Sequence, residues 1–80
     1  MKPSEIEQLI KAGFENADVR VISDDDTHFA AIVIAAEFAG KRSIARHQMV
    51  YKTLGSLVGN EIHALSIRAL TPDEAQEQEG

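Results

Sequence analysis

Apolar residues change their period twice along the first half of the chain. Ile6, Leu9, Ile10 and Phe14 recur at steps of three and four and predict a helix over 4–14. Ser4, with Glu7 three residues on, has the form of a capping box. Gly13 and Asn16 weaken the helix end. The period then drops to two: Val19 and Val21 share one face of a strand over 18–23. Asp24, Asp25 and Asp26 follow, three mutually repelling carboxylates that belong in a solvated turn. A second strand is predicted over 28–36, where Ile32-Val33-Ile34 is β-branched and uninterrupted, as in a strand covered on at least one face. So short a turn pairs the two strands as a hairpin.

The helical period returns after Phe38-Ala39-Gly40-Lys41-Arg42, which reads as a connection. Ser43 is placed to cap a helix over 43–58 whose buried stripe is Ile44, His47, Tyr51, Leu54 and Val58, widened by Val50 and Leu57. Gly59-Asn60 tolerate positive φ and end it. A third strand is predicted over 61–69, with His63, Leu65 and Ile67 on one face and Ile62, Ala64 and Ser66 on the other. Thr71-Pro72-Asp73-Glu74 has the form of another helix start. Beyond Ala75 no apolar anchor follows, so about one turn and then an acidic disordered tail over 76–80 are expected. The result is one α-β-β-α-β domain over 1–75. It is an α/β (α+β) fold in which two helices cover one face of a three-stranded sheet. Whether the second and third strands are parallel neighbours stays open at this point.

Composition narrows the function classes. The 80 residues include four aromatic ones, so the core rests on Ile, Val, Leu and Ala. Cysteine is absent, which excludes disulfides, thiolate metal sites and a cysteine nucleophile within this chain. Apolar runs fall short of the ~20 residues of a membrane span, and the N-terminus lacks the shape of a signal peptide, so a cytoplasmic protein is expected. The net charge is −5, but removing residues 71–80 leaves nine acids against eight bases. A global basic footprint for nucleic acid is therefore missing, while Lys41, Arg42 and Arg46 form a local basic group. No serine stands in a nucleophile motif, and there is no phosphate loop or dinucleotide fingerprint, so an enzyme is not expected.

Two readings stand for His63 in its apolar surroundings: a histidine bonded to backbone, or a metal ligand. One imidazole cannot hold a metal alone. His47 lies on the helical stripe and reads first as a core residue. Lys41, Arg42 and Arg46 surround a turn and a helix start, where backbone amides favour anions. A solvated basic turn is the plainer account of them.

Five short signatures in order extend these readings: Thr27-His28-Phe29, Phe38-Ala39-Gly40-Lys41, Arg46-His47-Gln48, Ile62-His63-Ala64-Leu65 and Thr71-Pro72. Together they resemble the BolA family, most closely its IbaG (YrbA-type) bacterial branch, over roughly residues 4–75. The resemblance implies a fold like the type II KH domain. It also implies an adaptor that pairs with a monothiol glutaredoxin and shares a bridged 2Fe–2S cluster, in iron–sulfur trafficking or iron and stress regulation. The partner and glutathione would bring thiolates, and the histidine of the His-Ala-Leu segment, here His63, would bring imidazole. The second ligand is often a Cys or His of the first hairpin loop; here residues 23–27 have neither, and His28 just after them is either that ligand or a strand residue with a structural role. Carboxylates of Asp24–Asp26 match a soft cluster poorly. A chain without cysteine would hold no cluster when isolated, and would be a monomer alone and a heterodimer with its partner. The alternative implied by the family is a KH-like nucleic-acid-binding transcriptional regulator of stress response and cell morphology. Lys41, Arg42, Arg46 and His47 would then form the nucleic-acid or partner surface. Gln48 stands where the family signature carries a second arginine, which lowers the charge available and points to weak nucleic-acid binding.

Overall fold

The computed structural model describes residues 1–79. Pro3 starts the first helix, α1 (Pro3–Ala12), one residue ahead of the Ser4 signature. Its fixed φ suits a first helical position, and it has no N–H to satisfy there. Glu5, not Glu7, closes the cap, its Oε1 accepting from the Lys2 amide at 2.9 Å. Glu7 is left for a tertiary contact and accepts from the Val21 amide at 2.9 Å, tying α1 to the first strand. Ile6 and Ile10 are buried. Phe14 packs edge-on against Phe38, with ring centroids 5.4 Å apart. Gly13 lets the end of α1 lie close to Thr53, with whose side chain a Cβ there would collide.

The hairpin forms as expected, from β1 (Asp18–Ile22) and β2 (His28–Ile34), antiparallel with Val21 opposite Ala31. The third strand, β3 (Ala64–Leu70), lies on the other side of β2 and parallel to it, with His28 opposite Ala64 and Ile34 opposite Leu70. The sheet order is therefore β1-β2-β3, and the helix between β2 and β3 is the crossover of a parallel pair. One face carries Val19, Val21, Phe29, Ala31 and Val33 into the core, while Ile22 and Ile32 on the other face reach solvent. Phe38, in a 3-10 turn (Ala36–Phe38) after β2, is fully buried although its segment reads as a plain connection.

The second helix, α2 (Ser43–Leu54), is shorter than predicted and buries only part of the predicted stripe. Arg42 is its N-cap, and Gly55, at φ +57°, ends it four residues before Gly59. A 3-10 turn (Gly55–Leu57) follows. Val50 and Leu54 are buried, but Ile44 is 70% exposed and Tyr51 38%. Ile44 and Tyr51 of the predicted stripe are thus turned off the core, and His47 is half-buried. The rest of the stripe holds: Val50 and Leu54 are buried and Leu57 and Val58 pack against the core, joined by Met49 and by the largely covered Arg46.

Regular alternation in β3 begins only at Ala64. Ile62 sits in a tight loop, its amide donating to Leu57 O at 2.9 Å and its carbonyl accepting from the Gly59 amide at 2.8 Å. It is fully buried, whereas Ala64 and Ser66, its predicted face-mates, are exposed. The final helix, α3 (Pro72–Glu79), outlasts the single turn expected. Its start is a true capping box: the Glu74 amide donates to Thr71 Oγ1 and the Thr71 amide to Glu74 Oε1, at 3.2 and 2.9 Å. Residues 76–79 of the predicted disordered tail continue this helix, and Gly80 lies outside the described residues.

Candidate functional site

The loop before β2 is built around one carboxylate. Asp25 Oδ1 accepts the backbone amides of Thr27 and His28, at 3.0 and 2.9 Å. Asp25 Oδ2 meets His28 Nδ1 at 2.9 Å. Ser23 Oγ donates to His28 O at 2.6 Å and accepts from the Asp26 amide at 2.9 Å, closing the turn from the other side. Asp26 takes the left-handed conformation, φ +56°, that an Asp tolerates in such turns. These donors hold the Asp25 carboxyl well below the usual carboxylate range: the His28 amide first, then its ring, then the Thr27 amide. The His28 side chain stays 70% exposed, so its ring is fixed by the carboxylate rather than by packing.

His63 does not lie in the strand, as its sequence context predicts, but in a bend directly before β3, and it is exposed. The parallel register sets Ala64 opposite His28, so His63 and His28 enter neighbouring strands at the same end of the sheet. Neighbouring strands run about 4.8 Å apart. The fold therefore brings together two imidazole-bearing positions that are 35 residues apart in the sequence. Among the described residues no three His, Asp or Glu side chains gather to hold a metal ion. Any shell completed at this end needs donors from another molecule. Sequence alone reads Asp25 as a poor oxygen ligand and does not reveal its tie to His28. Its signal, an Asp three residues before the histidine across a turn, was present.

The basic group lies elsewhere. Arg46 donates through Nε to Lys41 O at 2.9 Å and through Nη1 to Ala69 O at 3.0 Å. Its two Nη atoms grip Glu74 at 2.6 and 3.2 Å. The guanidinium also lies over the Phe38 ring, 5.9 Å from its centroid. Only 13% of the side chain is exposed. Glu74 raises the Arg46 pKa, and Arg46 in turn holds the Glu74 carboxyl down at about 2, helped by the Thr71 amide. Lys41 and Arg42 remain exposed, while His47 is half-buried beside a groove between α2, β3 and α3. The four residues grouped by sequence as one basic surface are thus divided, Arg46 being committed to structure. No helix among the described residues is long and apolar enough to cross a membrane.

Residues 7–74 match the family described as BolA-like protein. The DNA-binding transcriptional regulator BolA of Vibrio cholerae serotype O1 is 35% identical, over 90% of this chain and 76% of that protein. BolA-like protein 1 of Homo sapiens is 36% identical, over 88% of this chain and 51% of its own length. Among solved structures, that of a bolA protein homologue from Coxiella burnetii superposes with a TM-score of 0.80 at 40% identity, covering 95% of this chain and 97% of that one.

Proposed function

The chain belongs to the BolA family, and from that premise we propose that it is a non-enzymatic adaptor. It pairs with a monothiol glutaredoxin and supplies imidazole to a 2Fe–2S cluster carried between them. One observation carries this reading: His28 and His63 stand exposed at one end of the β2–β3 ladder, outside the buried core. Neutral imidazole suits iron, and histidine pairs are known to replace cysteine pairs on one iron of such clusters. With no cysteine in the chain, thiolates come from the partner and glutathione. His63 is the first ligand and His28 the second.

A second reading is supported by the name of the Vibrio cholerae relative: the chain binds DNA and regulates transcription. The engagement of Arg46 by Glu74 weighs against it. Affinity for phosphate backbone grows with the number of cations free to release counterions. Of the local group, only Lys41 and Arg42 are fully exposed.

The deciding experiment adds the chain to a cluster-loaded monothiol glutaredoxin and follows visible circular dichroism. Wild-type protein is expected to produce new bands, and folded His63→Ala to lose or strongly alter them. A folded His63→Ala that gives the wild-type spectrum at unchanged affinity rules the assignment out. Submicromolar binding of duplex DNA at physiological salt, with no spectral change on mixing, favours the second reading instead.

A further inference from the structure

We infer that Asp25 is a positioning residue for His28: it keeps the ring proton on Nδ1 and turns the bare Nε2 outward as the ligating atom. This inference rests on the adaptor reading above and goes beyond it by assigning the atom and the residue that selects it. A carboxylate only accepts hydrogen bonds. The 2.9 Å contact between Asp25 Oδ2 and His28 Nδ1 therefore places the proton of the neutral ring on Nδ1. The lone pair is then on Nε2, at the far side of the imidazole. With 70% of its side chain exposed, His28 has no packed wall to hold it. The carboxylate is what limits its rotation.

Asp25 is itself held, so the restraint is transmitted to the backbone. Its Oδ1 is committed to the amides of Thr27 and His28, and Oδ2 alone faces the ring. One oxygen sets the turn and the other sets the tautomer. Carboxylate partners of ligating histidines act in this way, and their loss commonly costs 10–100-fold in metal affinity. His28 opens β2 opposite Ala64, the residue that follows His63, so an Nε2 fixed there belongs to the same end of the sheet as the first ligand.

Asp25→Asn separates the two oxygens' roles. Asn preserves an Asx-type acceptor for the Thr27 and His28 amides. It replaces Oδ2 by an amide donor, which calls for Nδ1 as acceptor and moves the proton to Nε2. Nitrogen-15 NMR of the imidazoles, on the chain alone at alkaline pH, reads the tautomer with no cluster present. Wild-type His28 is expected in the Nδ1–H form and Asp25→Asn in the Nε2–H form, with the His63 and His47 rings unchanged. On mixing with the cluster-loaded glutaredoxin, Asp25→Asn is expected to weaken assembly about 10–100-fold. Wild-type His28 in the Nε2–H form overturns the inference without recourse to any variant. So does a folded Asp25→Asn that assembles as tightly as wild type while His63→Ala does not. Should His63→Ala assemble normally as well, the adaptor reading falls along with it.

Discussion

The two ends of the parallel β2–β3 ladder differ in where their polar groups are used. At the end where β2 and β3 terminate, Arg46 binds Lys41 O, Ala69 O and Glu74 and covers Phe38. The available N–H groups of its fork are largely engaged within the fold. At the end where the strands begin, His28 and His63 are exposed, and one ring has a single side-chain partner in the Asp25 carboxylate. Both ends carry a histidine- or arginine-bearing signature in the sequence. The first is a structural clamp that fixes α2 and α3 to the sheet; the second has coordinating capacity left over. A motif's chemistry is thus decided by whether folding consumes its donors and acceptors, and residue type alone does not reveal that.

The largest effect that tests this contrast is at the clamp. Phe38→Ala removes a fully buried ring from beneath Arg46 and against Phe14. It should cost about 3–5 kcal/mol, a large share of what a domain this small has. Urea denaturation measures it. If the folded fraction also shows a displaced His28 ring by NMR, the two ends are not independent and the contrast fails.

A smaller effect follows from Glu74 and pH. Its folded pKa of about 2 lies below the ordinary 4.5 because of Arg46 first and the Thr71 amide second. A depressed folded pKa gives stabilisation that is full above the unfolded value and is lost as pH falls through the folded one. The partly exposed pair is screened, so the contribution is modest. Glu74→Gln should therefore lower the urea midpoint near neutrality, with the gap to wild type closing between pH 4.5 and 2. Asp25 shifts in the same direction, so some acid sensitivity should survive in the variant. A gap that stays constant across that window would show that Glu74 acts by packing or capping instead of by charge.

The smallest stability effect belongs to the other end. His63→Ala and His28→Ala should each change unfolding free energy by no more than about 0.5 kcal/mol, as exposed substitutions do. A loss several times larger at His63 would place that ring in the fold and undo the comparison. For His63 this departs from the in-strand position that sequence predicts, which would attach a packing cost to its removal.

Element types and the hairpin were legible because they depend on local rules. Val19 and Val21 alternate, Ile6 and Ile10 share a helical face, and Asp24 to Asp26 can only be a wet turn. The buried face of α2 was legible only in part. Val50, Leu54 and Leu57 belong to the predicted stripe and pack inward, whereas Ile44 and Tyr51 fit the same period yet face solvent, and Arg46, an arginine that breaks a hydrophobic period, is largely covered. Arg46 is tolerated there by Glu74, 28 positions away, and by a carbonyl of β3. No local window contains that partner. Likewise Ile62 looked like a strand residue on the face of Ala64, but the Leu57–Ile62 loop bonds turn it into the core and leave His63 outside. The acidic end after Thr71 looked too polar to stay helical beyond a turn; its cap and the Arg46 pair anchor its first turn to the sheet.

By itself the sequence determined the inventory: the main elements, their order, the absence of thiols and the positions of the three histidines. Periodicity, capping and composition are short-range properties, written wherever the residues stand. Tertiary structure alone decided the parallel β2–β3 pairing, the outward turn of Ile44 and Tyr51, the withdrawal of Arg46 from the surface and the placing of His28 and His63 at one end of the sheet. The strand pairing and the Arg46–Glu74 pair join residues 36 and 28 positions apart, and their energy exists only once the chain has closed on itself.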